Sequence, residues 1–185
     1  MELTKKLPEK LLRWYDGGHR SLPWRDQPIP YYVWVSEIML QQTRVEAVRP
    51  YFDRFITALP DVFALANAKE ETLLKLWEGL GYYRRVHYLQ RAAKEVVNRY
   101  GGVIPSAYEQ LRSLPGIGDY TAGAIASIAY GAPRAAVDGN VLRVITRLCG
   151  DYRDIGSLSV KREITAALEQ IYPIGRCGDF TQSLM

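Results

Sequence analysis

Leu114-Pro115-Gly116-Ile117-Gly118-Asp119-Tyr120-Thr121-Ala122 is the stretch on which the reading of this chain turns. Two glycines one residue apart allow backbone angles that other residues resist. They also let a backbone come close to a ligand. Asp119 is expected to cap the helix that follows, so the free N–H groups of that helix point back at the turn. A glycine turn against a helix N-terminus suits an anion. A DNA phosphate fits that description, and such a contact positions a protein without reading base sequence. Gly116, Gly118, Tyr120 and Thr121 are therefore the candidate phosphate-binding residues. Taken alone, a G-x-G turn is equally the corner of a plain helix–turn–helix.

Helix signals surround the turn on both sides. Ser106 and Glu109 have capping-box spacing, and the short helix they open ends at Leu114-Pro115. The helix after the turn runs through Tyr130. Nearer the N-terminus, Leu11, Leu12 and Tyr15 recur at helical spacing from Pro8 to Tyr15, and Gly17-Gly18 stops that segment. A Pro-rich connection follows from Leu22 to Pro30. Tyr31-Tyr32-Val33-Trp34-Val35 would suit a strand locally. It is read as part of a helix to Leu40, because helical segments flank it and no partner strand is evident. Thr43 and Glu46 form another capping box, opening a helix to about Ala58. Asp61 caps a short helix through Ala66, and Glu70–Glu78 and Tyr82–Tyr100 follow, closed by Gly79 and by Gly101-Gly102. Asn140–Cys149, Val160–Tyr172 and a last segment from Gly178 complete the set. With no alternating strand ladder, the expected class is all-α.

The chain has 185 residues, 48% of them hydrophobic, enough for one compact unit or two small lobes. No apolar run approaches the roughly 20 residues that cross a bilayer. Met1–Lys6 lacks the apolar centre of a secretion signal. A cytoplasmic protein without a membrane partner is expected. A net charge of +4 tilts toward a polyanionic partner. Cys149 and Cys177 are the two cysteines, read as reduced thiols. Two thiols do not complete a four-cysteine zinc or iron–sulfur site, so no metal is expected within the chain.

The wider string L-P-G-I-G-x-x-T-A is far more specific than G-x-G. It resembles the helix–hairpin–helix of the base-excision glycosylases related to endonuclease III. The resemblance implies an acidic residue downstream of the hairpin, and Asp138 stands there, in Ala136-Val137-Asp138-Gly139-Asn140. Upstream, Glu37 interrupts the apolar run Val33–Leu40. A buried carboxyl tends to keep its proton, and a proton-bearing Glu acts as a general acid. A DNA base is a poor leaving group until it is protonated, and its departure builds positive charge on the sugar. One carboxylic acid and one carboxylate answer those two needs, as in sugar hydrolysis. Glu37 is assigned as the acid and Asp138 as the stabilising carboxylate or transient nucleophile. The plain alternatives are a solvated helix face for Glu37 and a helix N-cap for Asp138.

Further strings narrow the branch. Leu22-Pro23-Trp24-Arg25, Ser36 to Thr43, Leu76 to Tyr83 and Asp138-Gly139-Asn140 occur in the order of the MutY-type adenine DNA glycosylases. The resemblance runs from about Trp14 to Met185. It implies double-stranded DNA with adenine opposite 8-oxoguanine or guanine as partner, a monomer, and a cytoplasmic, nucleoid-associated location. It implies that Gln42 and Tyr82 invade or prop open the duplex, and that Leu40 and Thr43 approach the opposite base. Trp24, Arg25 and Gln182 match positions around an extruded adenine. Asn140 either orients Asp138 or its water, or caps the next helix. Relatives that cleave the strand carry a lysine where Tyr120 stands, and no lysine occurs between Lys94 and Lys161. Base release without efficient strand cleavage follows. Tyr120 either supports the carboxylates or packs at the helix start. Arg84, Arg85, His87 and Arg91 either meet phosphates or form a solvated basic face, and Trp77 and Tyr83 are read as core aromatics.

The implied architecture is a six-helix barrel over residues 23–133, with the helix–hairpin–helix at about 107–131. A second lobe, residues 1–22 with 134–185, is the partial counterpart of the family's cluster lobe. The family's [4Fe–4S] cluster takes four cysteines expected beyond residue 185, and neither Cys149 nor Cys177 matches them. The rival readings are a glycosylase for another base, such as mismatched thymine, and a non-catalytic DNA-binding module.

Overall fold

Apolar residues recur at helical spacing along nearly every segment, and in this computed structural model the described residues, 6–185, form helices with no strand among them. Most of the Met1–Lys6 stretch considered above lies outside the described residues. The elements are α1 (Lys6–Asp16), α2 (Pro23–Asp26), α3 (Pro30–Leu40), α4 (Val45–Ala58), α5 (Val62–Asn67), α6 (Glu70–Trp77), α7 (Arg84–Tyr100), α8 (Tyr108–Arg112), α9 (Asp119–Ala124), α10 (Gly139–Cys149), α11 (Leu158–Glu169) and α12 (Cys177–Leu184). A π-helical turn, Ile125–Ala129, continues α9. No helix among the described residues is long and apolar enough to cross a membrane. The chain divides into two compact units, Ser21–Thr121 and Met1–Arg20 with Ala122–Met185. That division falls inside α9 rather than at residue 133.

In the 21–121 unit, α3 resolves the ambiguity of Tyr31–Val35. Tyr31, Val33 to Ile38 and Met39 are all buried, so the helix is covered on every side and has no polar face to set a period. Tyr31 donates to Leu59 O at 2.8 Å, tying α3 to the end of α4. The Pro-rich connection holds a helical turn, α2, with Pro23 at its start. Phe55 and the fully buried Trp77 pack edge to face at 6.0 Å. Tyr83, read as a core aromatic, is instead 43% exposed. Gln90 of α7 donates to Ala68 O at 2.7 Å and so pins the end of α5.

Two capping boxes do not form. The N-cap of α4 is Arg44 and that of α8 is Ala107, neither with a side-chain cap bond. Asp119 is the first residue of α9 rather than its cap. Its carboxylate pairs with Arg112 at 2.9 Å and accepts from Tyr108 at 3.0 Å. Asp61 does cap, accepting from Ala64 N–H at 2.8 Å.

In the other unit, Leu12 of α1 joins Val141, Ile145, Ile164, Leu168, Tyr172 and Phe180 in one core. Arg176 bridges Asp16 at 2.6 Å and Asp179 at 2.8 Å, linking α1 to the start of α12. The irregular segment before α10 lies against α9 at Gly123, where any β-carbon would collide with the carbonyl of Ala135. Gly123→Ala should therefore cost about 1–3 kcal/mol through overpacking against backbone that has nowhere to move. Thermal unfolding checks this: an unchanged melting temperature would show that the two backbones are not held in contact.

Candidate active site

Glu37 sits near the end of α3 with only 6% of its surface exposed. One turn earlier, the indole N–H of Trp34 is fully buried and makes no hydrogen bond within the protein. Trp24 is also buried and meets Phe52 edge-on at 5.0 Å, while Arg25 is half-buried. Open depressions of about 340 Å³ beside Tyr32 and Phe52 and about 730 Å³ beside Leu74 and Tyr83 lie on this unit, and Glu37 lines neither.

Past α3 the chain turns through Gln41, Gln42 and Thr43. Gln42 has a φ of +58° and Tyr82 a φ of +50°, the two positive-φ non-glycine residues among the described residues. Such backbone is disfavoured for residues with a β-carbon. Both are exposed, Tyr82 to 63%, while Leu40 and Thr43 are half-buried. Their loops are joined by Arg85, which is buried at the start of α7 and therefore not a phosphate-facing residue. Its Nη1 donates to Ile38 O at 3.0 Å, Met39 O at 2.8 Å and Gln41 O at 2.6 Å. Its Nη2 donates to Thr43 Oγ1 at 3.3 Å, Leu80 O at 3.1 Å and Gly81 O at 3.3 Å. The guanidinium also faces the rings of Trp77 and Tyr82, at 5.5 and 5.4 Å. Burial pulls its pKa below the ordinary guanidinium value, with no loss of charge near neutral pH. A sequence signal existed: Arg85 falls in the buried stripe of α7 with Leu89, Ala92, Ala93 and Val96.

At the hairpin, Gly116 alone of the two glycines has a positive φ, +77°, and a β-carbon there would lie 2.7 Å from that of Tyr88. Gly118 needs neither: a β-carbon there would meet nothing within 4 Å. Tyr120 is half-buried and Thr121 buried. Beside the hairpin, Arg84 donates to the Tyr88 hydroxyl at 3.1 Å, which lowers that phenol's pKa. Arg91 stands 5.8 Å from the same ring.

In the 122–185 unit, Asp138 is the N-cap of α10. Its Oδ1 accepts from Val141 N–H at 2.8 Å and its Oδ2 from Asn140 Nδ2 at 3.1 Å. Asn140 accepts in turn from Arg143 at 3.1 Å. The cap is therefore Asp138 rather than Asn140, which lies inside α10 and orients the second oxygen of Asp138. Gln182 is 9% exposed on α12. A [4Fe–4S] cluster takes four protein ligands. The described residues hold free Cys149 and Cys177 and no group of three or more His, Cys, Asp or Glu placed to hold a metal, so they do not fit a cluster.

Arg85→Lys keeps the charge but loses the fork that reaches both loops. It should destabilise the protein by about 3 kcal/mol, because buried carbonyls are left without donors. Urea unfolding measures this, and a loss below about 0.5 kcal/mol would mean the guanidinium does not hold the loops.

The comparisons agree with one another. Residues 35–172 match the model of the HhH-GPD superfamily base excision DNA repair proteins. The chain is 44% identical over 184 residues to the adenine DNA glycosylase of Mus musculus, covering 95% of this chain and 36% of that one. It is 37% identical over 185 residues to the adenine DNA glycosylase of Buchnera aphidicola subsp. Acyrthosiphon pisum, covering 99% and 53%. The chain thus spans about a third to a half of the length of these relatives. A thermostable thymine-DNA glycosylase shares the fold with a TM-score of 0.85 and 28% identity, over 98% of this chain and 83% of that one. Endonuclease III in a trapped covalent DNA complex does so at 0.79 and 24%, over 98% and 84%. By family match and by fold, this chain belongs to the HhH-GPD superfamily of base excision DNA repair proteins.

Proposed function

We propose that this chain is the catalytic portion of an adenine DNA glycosylase, acting on adenine opposite 8-oxoguanine or guanine in duplex DNA. The observation that carries the reading is the contrast between two carboxyls. Glu37 is shut away from water on α3, and Asp138 is part-exposed and held by two donors at a helix start. Environments that treat two carboxyls so differently suit one to give a proton and the other to stay charged. The adenine glycosylase relatives, matched along almost the whole chain, support the choice of base.

In this reaction Glu37 gives its proton to a ring nitrogen of the flipped adenine. The bond from the base to the sugar C1′ breaks, and its electron pair leaves with adenine. The Asp138 carboxylate stabilises the cationic sugar. Water bonds to C1′, and the proton it releases restores the acid. The products are adenine and an abasic site. Tyr120, where strand-cleaving relatives carry lysine, has no amine to form a Schiff base, so the backbone stays intact. Gln42 and Tyr82 are the wedge residues, with exposure and strained backbone in their favour. Trp24, Arg25 and Gln182 surround the base, and Leu40 and Thr43 face its partner. Gly116, Gly118, Tyr120 and Thr121 hold a phosphate, and the open space before Gly118 favours that contact. The partner is duplex DNA bound by one copy of the chain. In longer family members a [4Fe–4S] cluster is carried by residues outside those described here.

Single-turnover base release from duplexes bearing adenine opposite 8-oxoguanine, adenine opposite guanine and thymine opposite guanine tests the reading. The parent should release adenine from the first two and leave strands uncut until alkali is added. Glu37→Gln should slow release by about 10²–10⁴-fold at unchanged helicity. Release of thymine alone would move the assignment to a mismatch thymine glycosylase, and duplex binding without any release would make the chain a binding module. Gly118→Ala should weaken duplex binding and leave the melting temperature in place. Undiminished binding would remove the hairpin from the DNA contact.

A further inference from the structure

The segment that delivers Asp138 is irregular yet buried: Ala135, Ala136 and Val137 are 6%, 2% and 2% exposed. Its backbone N–H groups therefore need partners from elsewhere. Ala135 N–H reaches Glu169 Oε1 at 3.3 Å. The buried ring of Tyr172 packs in the same core as Ala135 and Val137. From Tyr172 a chain of buried hydroxyls runs on, to Thr181 at 2.9 Å and from Thr181 to Ser127 at 2.8 Å. It ends where Ser127 donates to Gly123 O at 2.7 Å, as α9 passes into the π-helical turn. Π-helical turns occur frequently at functional sites.

The direction of the chain is fixed. Ser127 spends its one proton on a carbonyl and Thr181 spends its own on Ser127. Tyr172 must then donate to Thr181. Burial pushes the phenol up to about 12, so its proton stays in place at neutral pH and the chain remains whole. The reaction proposed above uses none of these hydroxyls. A row of satisfied polar groups in a core that hydrophobic side chains could fill specifies one arrangement. Here that arrangement is the approach of residues 135–137 to the cap.

We propose that Tyr172, acting through Thr181 and Ser127, is a positioning residue for Asp138. The chain ends on Gly123, against which the backbone of Ala135 and Ala136 packs, and Val141 N–H and Asn140 then aim the two oxygens of Asp138. The catalytic half of this inference rests on the glycosylase reading, and the positional half does not.

The test uses Tyr172→Phe, and Thr181→Val as a second variant that cuts the chain while leaving the ring in place. Amide hydrogen exchange by NMR needs neither DNA nor activity. In both variants the Val141 amide, bonded to Asp138 Oδ1, should exchange about tenfold faster, with α3 and α7 amides unchanged. Parent-like exchange at Val141 overturns the proposal, whether or not the parent releases adenine. In single-turnover assays each variant should slow base release about tenfold with duplex affinity unchanged. In an Asp138→Glu background, where the carboxylate is already displaced, Tyr172→Phe should lose most of its effect. An undiminished effect there, or weakened binding in place of a slower chemical step, would make Tyr172 a packing residue only.

Discussion

A buried cation with no carboxylate beside it organises the 21–121 unit. Arg85 is held by the carbonyls of Ile38, Met39, Gln41, Leu80 and Gly81 and by the hydroxyl of Thr43. Taking a guanidinium out of water is costly, and only closely placed dipoles offset that cost. Here the dipoles are the ends of a helix and two turns that would otherwise lack partners for their carbonyls. The two Nη groups and the carbonyls thus satisfy each other, while the buried Nε–H makes no hydrogen bond within the protein. Only a flat fork with donors on both sides spans two loops at once. The end of α3, which follows directly on Glu37, is fixed relative to the loop before α7 through this one side chain.

Asp138 shows the same economy in the other unit. A carboxylate at a helix start is stabilised by the free N–H groups there. Here the donors are Val141 N–H and Asn140 Nδ2, one to each oxygen. Asn140 and Arg143 extend the hold to the second oxygen. Cap and catalyst are usually competing explanations for such a residue. For the role proposed here the two are compatible, because the cap bonds orient the carboxylate and leave part of its surface open.

Helices with a long apolar stripe, such as α7 and α10, were legible in the sequence because 3.6-residue periodicity survives wherever one face meets water. The class of α3 was harder, since a helix buried on every side carries no period. Caps were legible only where no stronger partner competed. Asp61 caps as its spacing suggests, but Thr43 is engaged by Arg85 and Asp119 by Arg112 and Tyr108. Those competitors come from distant positions, which local spacing does not record. Arg85 itself was misread as a surface charge, although its place in the apolar stripe of α7 marked it as buried. The hairpin was legible as a string, but the division of labour between its glycines was not: Gly116 answers to Tyr88, and Gly118 to nothing in the protein. The Tyr172 chain joins residues far apart in sequence, and no motif announces it.

Gln42 and Tyr82 carry the argument furthest toward a partner. Each holds a backbone conformation that costs of order 1 kcal/mol or more. Each is exposed, so neither recovers that cost by burying its side chain. A chain shaped by stability alone would place glycine at both positions or relax the turns. Instead, Arg85 holds both turns against relaxation. It grips Gln41 and Thr43 on either side of Gln42, and Leu80 and Gly81 just before Tyr82. On the proposed reading, strain maintained by a buried clamp under two exposed side chains serves to present them to a partner. In the reaction proposed above, that partner is a duplex whose base stack must be opened, where an amide and an aromatic ring become buried only after binding.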